Sequence, residues 1–313
     1  MSAQRLERRP TRCRLGLVAV VPLLFGCRSA ARTTSDGRTD GAPASPGTGA
    51  AARPAGADGL EVHLAALRAR TPSEFPVVPA PPFVVTGDLP PARVEEYAAT
   101  VRWTVRMLRQ DFFQVGPERL IDVWLFGDEA SYRAWAWTLF RDRPSTPYGY
   151  FSPSENALIM NIATGGGTLV HELVHPLLHA DFPGVPPWLN EGLASLFEQC
   201  GEEDGHIVGS TNWRLAGLQK AIRQKRTYPF DDLLRLTNDD FYVHGTGRET
   251  AQARYLCYYL QQRDLLLRFY REFRGRRDRD PTGGETLKAV LGETSLAAFQ
   301  PRWEEFVLGL TFP

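Results

Sequence analysis

His171-Glu172-Leu173-Val174-His175 and, after a turn rich in Pro and Gly, Pro187-Trp188-Leu189-Asn190-Glu191-Gly192-Leu193-Ala194 are the stretches that decide how this chain is read. In a helix, residues four apart share one face. His171 and His175 can therefore aim both imidazoles at one tetrahedral Zn2+. Glu172 lies about 100° round the helix from His171, beside the ion rather than on it. A general base belongs there, because zinc brings the pKa of a bound water down to about 7 and the base takes its proton. Catalytic zinc usually has three protein ligands and one open position. Phe182-Pro183-Gly184-Val185-Pro186-Pro187 ends the first helix and starts a second. Prolines suit that start, since N–H groups of a first turn lack helical partners anyway. Glu191 falls one turn inside the second helix and faces the metal if the two helices pack together. His179 is one turn beyond His175. The rise from His171 to His179 is about 12 Å, too far for all three rings to share one ion, so His179 is assigned to packing or to support of a ligand.

The pair H-E-L-V-H and P-W-L-N-E-G-L-A resembles the gluzincin metallopeptidases, the clan of thermolysin and the zinc aminopeptidases. Within it, the chain is most similar to bacterial peptidase MA-like domains, over roughly residues 83–310. That resemblance implies His171, His175 and Glu191 as zinc ligands and Glu172 as base. It also implies a sheet, a metal helix, a glutamate helix and a helical C-terminal part. In such enzymes the sheet edge beside the metal helix pairs with an extended peptide substrate.

The chain departs from that pattern in three places. Pro176 directly follows the second His, which predicts a kink just past the site. Ser195 stands where thermolysin-like enzymes often carry an acidic residue supporting a ligand. A hydroxyl, or another group such as Glu198, would then orient a His ring. Thr250 stands where a Tyr commonly stabilises the oxyanion. Tyr242, His244 and Tyr255 are the candidates for that role, with Arg254 and Tyr258 beside them and His206 further off. Packing is the alternative for each.

The 36 basic and 36 acidic residues among 313 cancel, which argues against nucleic acid as a main partner. The N-terminus reads as a targeting segment. Arg5, Arg8, Arg9, Arg12 and Arg14 precede an apolar run from Leu15 to Phe25, too short to span a bilayer. Leu24-Phe25-Gly26-Cys27 resembles a lipobox. Residues 1–26 would be a lipoprotein signal peptide and Cys27 the lipidated N-terminus, anchoring the protein to a membrane of the bacterial cell envelope, outside the cytoplasm. An ordinary secretory signal with an incidental Cys is the alternative. Either one takes the chain out of the cytoplasm. An oxidising compartment permits a disulfide between Cys200 and Cys257; a small buried thiol at Cys257 is the alternative.

Residues 27–59 are rich in Ala, Gly, Pro, Ser and Thr and bury too little apolar surface to offset ordering, so they read as a flexible tether. Residues 60–82 read as a short helix followed by a Pro-rich linker. Residues 83–313 form one α+β domain: a small mixed β-sheet, the metal-binding helix, the glutamate helix and a mostly helical C-terminal part. Strands are expected at Phe83–Val85 and Ile121–Phe126, helices at 91–111 and 129–140 with Asp128 as cap, and a hairpin over 148–161. Thr168, after three glycines, is expected to cap the metal helix. No phosphate loop is read there, because no G-K-[ST] follows. Beyond Gly201 the expected helices include one long, aromatic-rich helix from Arg248 to Phe273. The functional expectation is a zinc metallopeptidase acting on a peptide or protein. The alternatives are an envelope adaptor that keeps zinc without strong activity, and hydrolysis of a non-peptide amide such as cell-wall material.

Overall fold

A computed structural model describes residues 57–312; the signal segment, Cys27 and nearly all of the proposed tether lie outside the described residues. The fold is a mixed α+β arrangement built on a five-stranded sheet with the order β1-β2-β3-β5-β4. Its strands are β1 (Val77–Ala80), β2 (Phe83–Gly87), β3 (Ile121–Phe126), β4 (Gly149–Ser152) and β5 (Ala157–Asn161). The central β2, β3 and β5 run parallel, while β1 and β4 are antiparallel edges. The central strands are buried along their whole length, as expected for strands covered on both faces.

Alternation along these strands divides the core. Phe83, Val85, Val123, Leu125, Leu158 and Met160 face one cluster, which also holds α2 (Pro91–Asp111), α4 (Gly166–Asp181) and the C-terminal helices. Val84, Trp124, Phe126, Ala157 and Ile159 face the other, with α1 (Ala57–Arg70) and α3 (Glu129–Phe140). The period of two is what puts neighbouring residues on opposite faces. The metal helix therefore lies on one face only. The hairpin expected over 148–161 forms β4 and β5, with β4 outermost. Asp128 caps α3 by accepting the Ser131 N–H at 2.8 Å.

Three expectations change, and the open question of the two cysteines is answered. The Pro-rich stretch contains β1, and α1 buries Leu64 and Leu67 against the sheet. Pro79 is compatible with that strand because β1 is an edge. Residues 200–209, read as the start of the helical part, form a hairpin of β6 (Cys200–Glu203) and β7 (His206–Gly209). Its turn is Asp204-Gly205, both at positive φ, 51° and 82°, the backbone that Asp-Gly favours in a two-residue hairpin loop. The long helix from Arg248 breaks into α9 (Arg248–Gln261) and α10 (Leu266–Arg276). Asp264 takes a left-handed conformation at φ 57° between them, which Asp tolerates better than most residues. Cys200 and Cys257 are both free. Burial raises both thiols, Cys200 to about 12, so neither is a ready nucleophile.

The remaining helices are α5 (Pro187–Phe197), α6 (Arg214–Arg223), α7 (Phe230–Leu233), α8 (Asn238–Tyr242), α11 (Gly284–Leu291) and α12 (Leu296–Leu308). Among the described residues no helix is long and apolar enough to cross a membrane.

Candidate metal centre

β5 feeds the site directly. Asn161 accepts the Ala163 N–H at 3.1 Å and starts a single 3-10 turn, Ile162–Thr164. Gly165, at φ 110°, then turns the chain into α4 without a side-chain cap. Thr168 is thus inside the first turn and is not the cap expected from the sequence. Gly167 has a packing reason to be glycine: a Cβ there would sit 2.4 Å from the Glu198 carbonyl oxygen beyond the end of α5. α4 buries Leu169, Val170, Leu173, Val174, Leu177 and Leu178, a stripe at helical spacing that leaves His171 and His175 at its edge. The helix continues through Pro176 to Asp181.

The C-terminal end of α4 is fastened by one carboxylate. Asp181 accepts the main-chain N–H groups of Gln114 and Val115 at 2.7 and 2.8 Å, the Tyr270 hydroxyl at 2.6 Å and the Arg274 guanidinium at 2.5 Å. Burial alone would raise its pKa, but these donors bring it below the ordinary value.

α5 begins at Pro186-Pro187 and is buried from Trp188 to Phe197. A helix buried all round must be wedged between neighbours, here α4 and α9. Gly192 permits the approach of α9, since a Cβ there would lie 2.9 Å from Cys257 Sγ and 3.1 Å from the Ala253 carbonyl oxygen. Trp188 donates its indole N–H to the Thr282 carbonyl at 2.9 Å, holding the start of α5.

This packing delivers Glu191 between the two imidazoles. His171 Nε2 is 3.7 Å from one carboxylate oxygen and His175 Nε2 is 3.7 Å from the other. Such separations are too long for hydrogen bonds. The three residues form a group that could hold a metal ion, with donor atoms all within 4.8 Å of one another. Glu172 is buried beside them, 8 % exposed.

The other nitrogen of His175 is engaged from behind. Asn190 Oδ1 lies 2.9 Å from His175 Nδ1, which leaves Nε2 as the ring nitrogen turned toward Glu191. The Asn190 amide in turn donates to the Tyr242 hydroxyl at 3.1 Å. Burial lowers the His171 pKa to about 3; Glu191 and the Ala194 main chain act in the direction that raises it, while His175 and Arg214 add to the fall. A neutral imidazole, the form that coordinates metals, results. Burial raises the pKa of Glu172; His175 works against the rise, and Glu191 and Glu198 add to it.

Asn190 was not singled out from the sequence as an orienting residue, although it directly precedes Glu191. Ser195, one of the residues expected to orient a ring, instead returns its hydroxyl to the Glu191 carbonyl at 2.5 Å. Glu198 is paired with Arg214 and is half-buried. His179 is exposed and lies outside the three-residue group.

Of the oxyanion candidates, Tyr242 alone has a hydrogen bond into the ligand support. His244 is exposed beyond α8. Tyr255 is fully buried, with its hydroxyl between the Asn212 N–H at 3.1 Å and the Asn212 carbonyl at 3.3 Å, which removes it from substrate contact. Arg254 is also buried and donates to the Ser195 carbonyl at 2.8 Å. Tyr258 packs between Tyr255 and Phe306. His206 bonds Asp111 at 2.7 Å, locking the second hairpin to α2. Compared with models of known families and with curated proteins, the chain matches none of them.

Proposed function

We propose that this protein is an extracytoplasmic zinc metallopeptidase of the gluzincin type. The observation that carries the reading is the convergence of His171, His175 and Glu191 with Glu172 buried alongside. Two zinc bonds of about 2.1 Å at a tetrahedral angle place their donor atoms about 3.4 Å apart. The 3.7 Å His–Glu separations are close to that spacing. Two imidazoles and one carboxylate are also a donor set that catalytic zinc uses, leaving one position open. Glu191 is a buried acid facing an imidazole, His171, that burial keeps neutral, and a cation between them would offset the cost of burying its carboxylate.

When bound, zinc supplies Lewis-acid charge that makes water a nucleophile at neutral pH. Glu172 takes the water proton on its carboxylate and passes it to the departing amine nitrogen of the peptide. Its raised pKa suits both halves of that transfer, since the protonated form is not prohibitively acidic. Asn190 holds the His175 imidazole in the orientation that coordination needs.

β4 is the surface to which an extended peptide would add. It is an outer antiparallel strand, and its partner β5 leads straight into α4. By register Phe151 lies opposite Leu158, on the α4 face, and it is 41 % exposed. An exposed ring there would contact a substrate side chain, while the strand's main chain fixes the peptide's direction. The lipid anchor at Cys27 belongs to the same proposal and would hold the protein at the membrane.

Glu172→Gln tests the reading. The variant is expected to hold one zinc per chain, as the parent does, and to lose cleavage of a peptide library by at least 100-fold, within the usual effect of removing a general base. Cleavage at the parental rate by the zinc-loaded variant would discard the mechanism.

A further inference from the structure

We infer that the outer side of α3 is a membrane contact, with Trp137 among the headgroups of an anionic phospholipid bilayer and Arg141 and Arg143 on its phosphates. This rests on the reading of Cys27 as a lipid anchor, part of the proposed function.

Helical spacing puts Trp137 on the side of α3 away from the sheet. Tyr132 and Ala136 are buried in the smaller core cluster, whereas Trp137, about 100° further round than Ala136, is 44 % exposed. α3 then ends at Arg141, whose left-handed conformation (φ 56°) turns the chain, and its N–H returns to the Trp137 carbonyl at 3.0 Å. The turn brings two cations back to the indole: the guanidinium carbons of Arg141 and Arg143 lie 5.8 and 4.9 Å from the ring centroid. Among the described residues neither guanidinium is ion-paired. Asp142, the acid between them, accepts the Arg143 main-chain N–H at 2.7 Å. Arg133, paired with Glu129, donates to the Pro144 carbonyl at 2.9 Å and holds the segment that follows the turn.

An exposed indole between two unpaired guanidiniums matches the edge of a bilayer. The ring is amphipathic and settles at headgroup depth, and each guanidinium can hold a phosphate through two N–H groups. Their charge complements anionic lipid in particular. The chain beyond the described residues favours the same occupant. The description begins at Ala57 in α1, which packs in the same layer as α3. About 30 residues separate Ala57 from Cys27. A tether of the composition read from the sequence has an r.m.s. span of about 30 Å at that length. An anchor so close makes the second contact intramolecular, so weak affinity at α3 is enough. α4 and the candidate metal centre belong to the cluster on the opposite face of the sheet. The contact therefore turns that centre away from the lipid, towards peptides in the aqueous compartment.

The experiment measures partition into vesicles by flotation. The probe is a vesicle of equal parts phosphatidylethanolamine and phosphatidylglycerol, with phosphatidylcholine as the uncharged comparison. The protein is the mature chain from residue 27 onward, with Cys27→Ser so that no acyl group holds it; it contains every described residue. The parent is expected to partition at least about tenfold more strongly into the anionic vesicle than into the uncharged one, since each Arg near an anionic surface is worth about fivefold. Arg141→Gln with Arg143→Gln should lower anionic partition by about 10- to 30-fold for the same reason. Trp137→Ala should lower it by about fivefold, the effect of withdrawing roughly half an aromatic side chain from an apolar setting. Arg223→Gln with Arg226→Gln removes the same charge at the end of α6, on the other cluster, and should change partition by less than about twofold, because only charge near the lipid counts. A parent that ignores the vesicles overturns the inference, whether or not a protein partner binds this face. Equal partition into both vesicles, or equal losses from the α3 and α6 pairs, overturns it too. Should a variant fail to fold, the parent's preference between the two lipids still decides. The assay uses neither zinc nor cleavage. Absence of an acyl group on Cys27 of the unaltered protein, or absence of peptidase activity, would count against the proposed function and leave the partition result standing, so the two failures are separable.

Discussion

Gly192→Ala should loosen the packing that carries Glu191. The new Cβ would sit 2.9 Å from Cys257 Sγ, 3.1 Å from the Ala253 carbonyl oxygen and 3.3 Å from its carbon. The first is closer than real Cβ contacts allow, and two of the three neighbours are main-chain atoms of α9 that cannot rotate away. Overpacking of this kind costs about 1–3 kcal/mol. Alanine recovers about 1 kcal/mol through its better helix propensity. The net loss is at most about 2 kcal/mol, a fall in melting temperature of up to about 8 °C for a domain of this size. Calorimetry of metal-free protein reads it. Cys257→Ala removes the sulfur, so the double variant should show a favourable coupling of at least about 0.5 kcal/mol. Only the sulfur contact is relieved, and the Ala253 carbonyl should keep the rescue partial. If no coupling with Cys257→Ala appeared, α5 would not be set against α9 as described.

Other consequences are equally checkable. Asp181→Asn should cost about 2–4 kcal/mol, because an amide NH2 must face an N–H or O–H donor and the Arg274 charge loses its partner. The native pKa of Asp181 is depressed below 3.8, so its stabilisation is present above the unfolded-state value and is lost as pH falls through the folded one. The gap in denaturation midpoint between parent and variant should therefore be full at pH 6 and shrink below about pH 4. Asp122→Ala removes the acceptor shared by His63 at 2.7 Å and Arg70 at 2.5 Å, and limited proteolysis should then cut within α1 before the rest of the fold. Chelation should lower the melting temperature of zinc-loaded protein: at about 1,000 times Kd, binding contributes about 4 kcal/mol, equivalent to about 8–16 °C.

Long periodic segments and the three residues of the candidate metal centre were the parts most legible in the sequence. α2, β3 and α3 occupy the spans that the sequence predicts, helped by clear Pro or Asp punctuation. His171, His175 and Glu191 were legible because coordination demands fixed spacing, four along one helix and one turn into the next. β1 was hidden by Pro79, which weakens a strand signal everywhere except at an edge, and position in a sheet is not a local property. β6 and β7 were hidden by charge in Cys200–Glu203, although Asp204-Gly205 is a hairpin signal. Tertiary demand broke the helix at Asp264, where apolar periodicity runs on but the chain must turn. Asn190's role needed the second helix in place, because its amide meets His175 only once α5 packs on α4.

The most direct measurement is metal content of the purified full chain after zinc loading and dialysis, by mass spectrometry, beside His171→Ala and Glu191→Ala. The account predicts one zinc per parent chain and loss of tight binding in both variants. Zinc retained undiminished by Glu191→Ala, or a parent that emerges without metal, would contradict it.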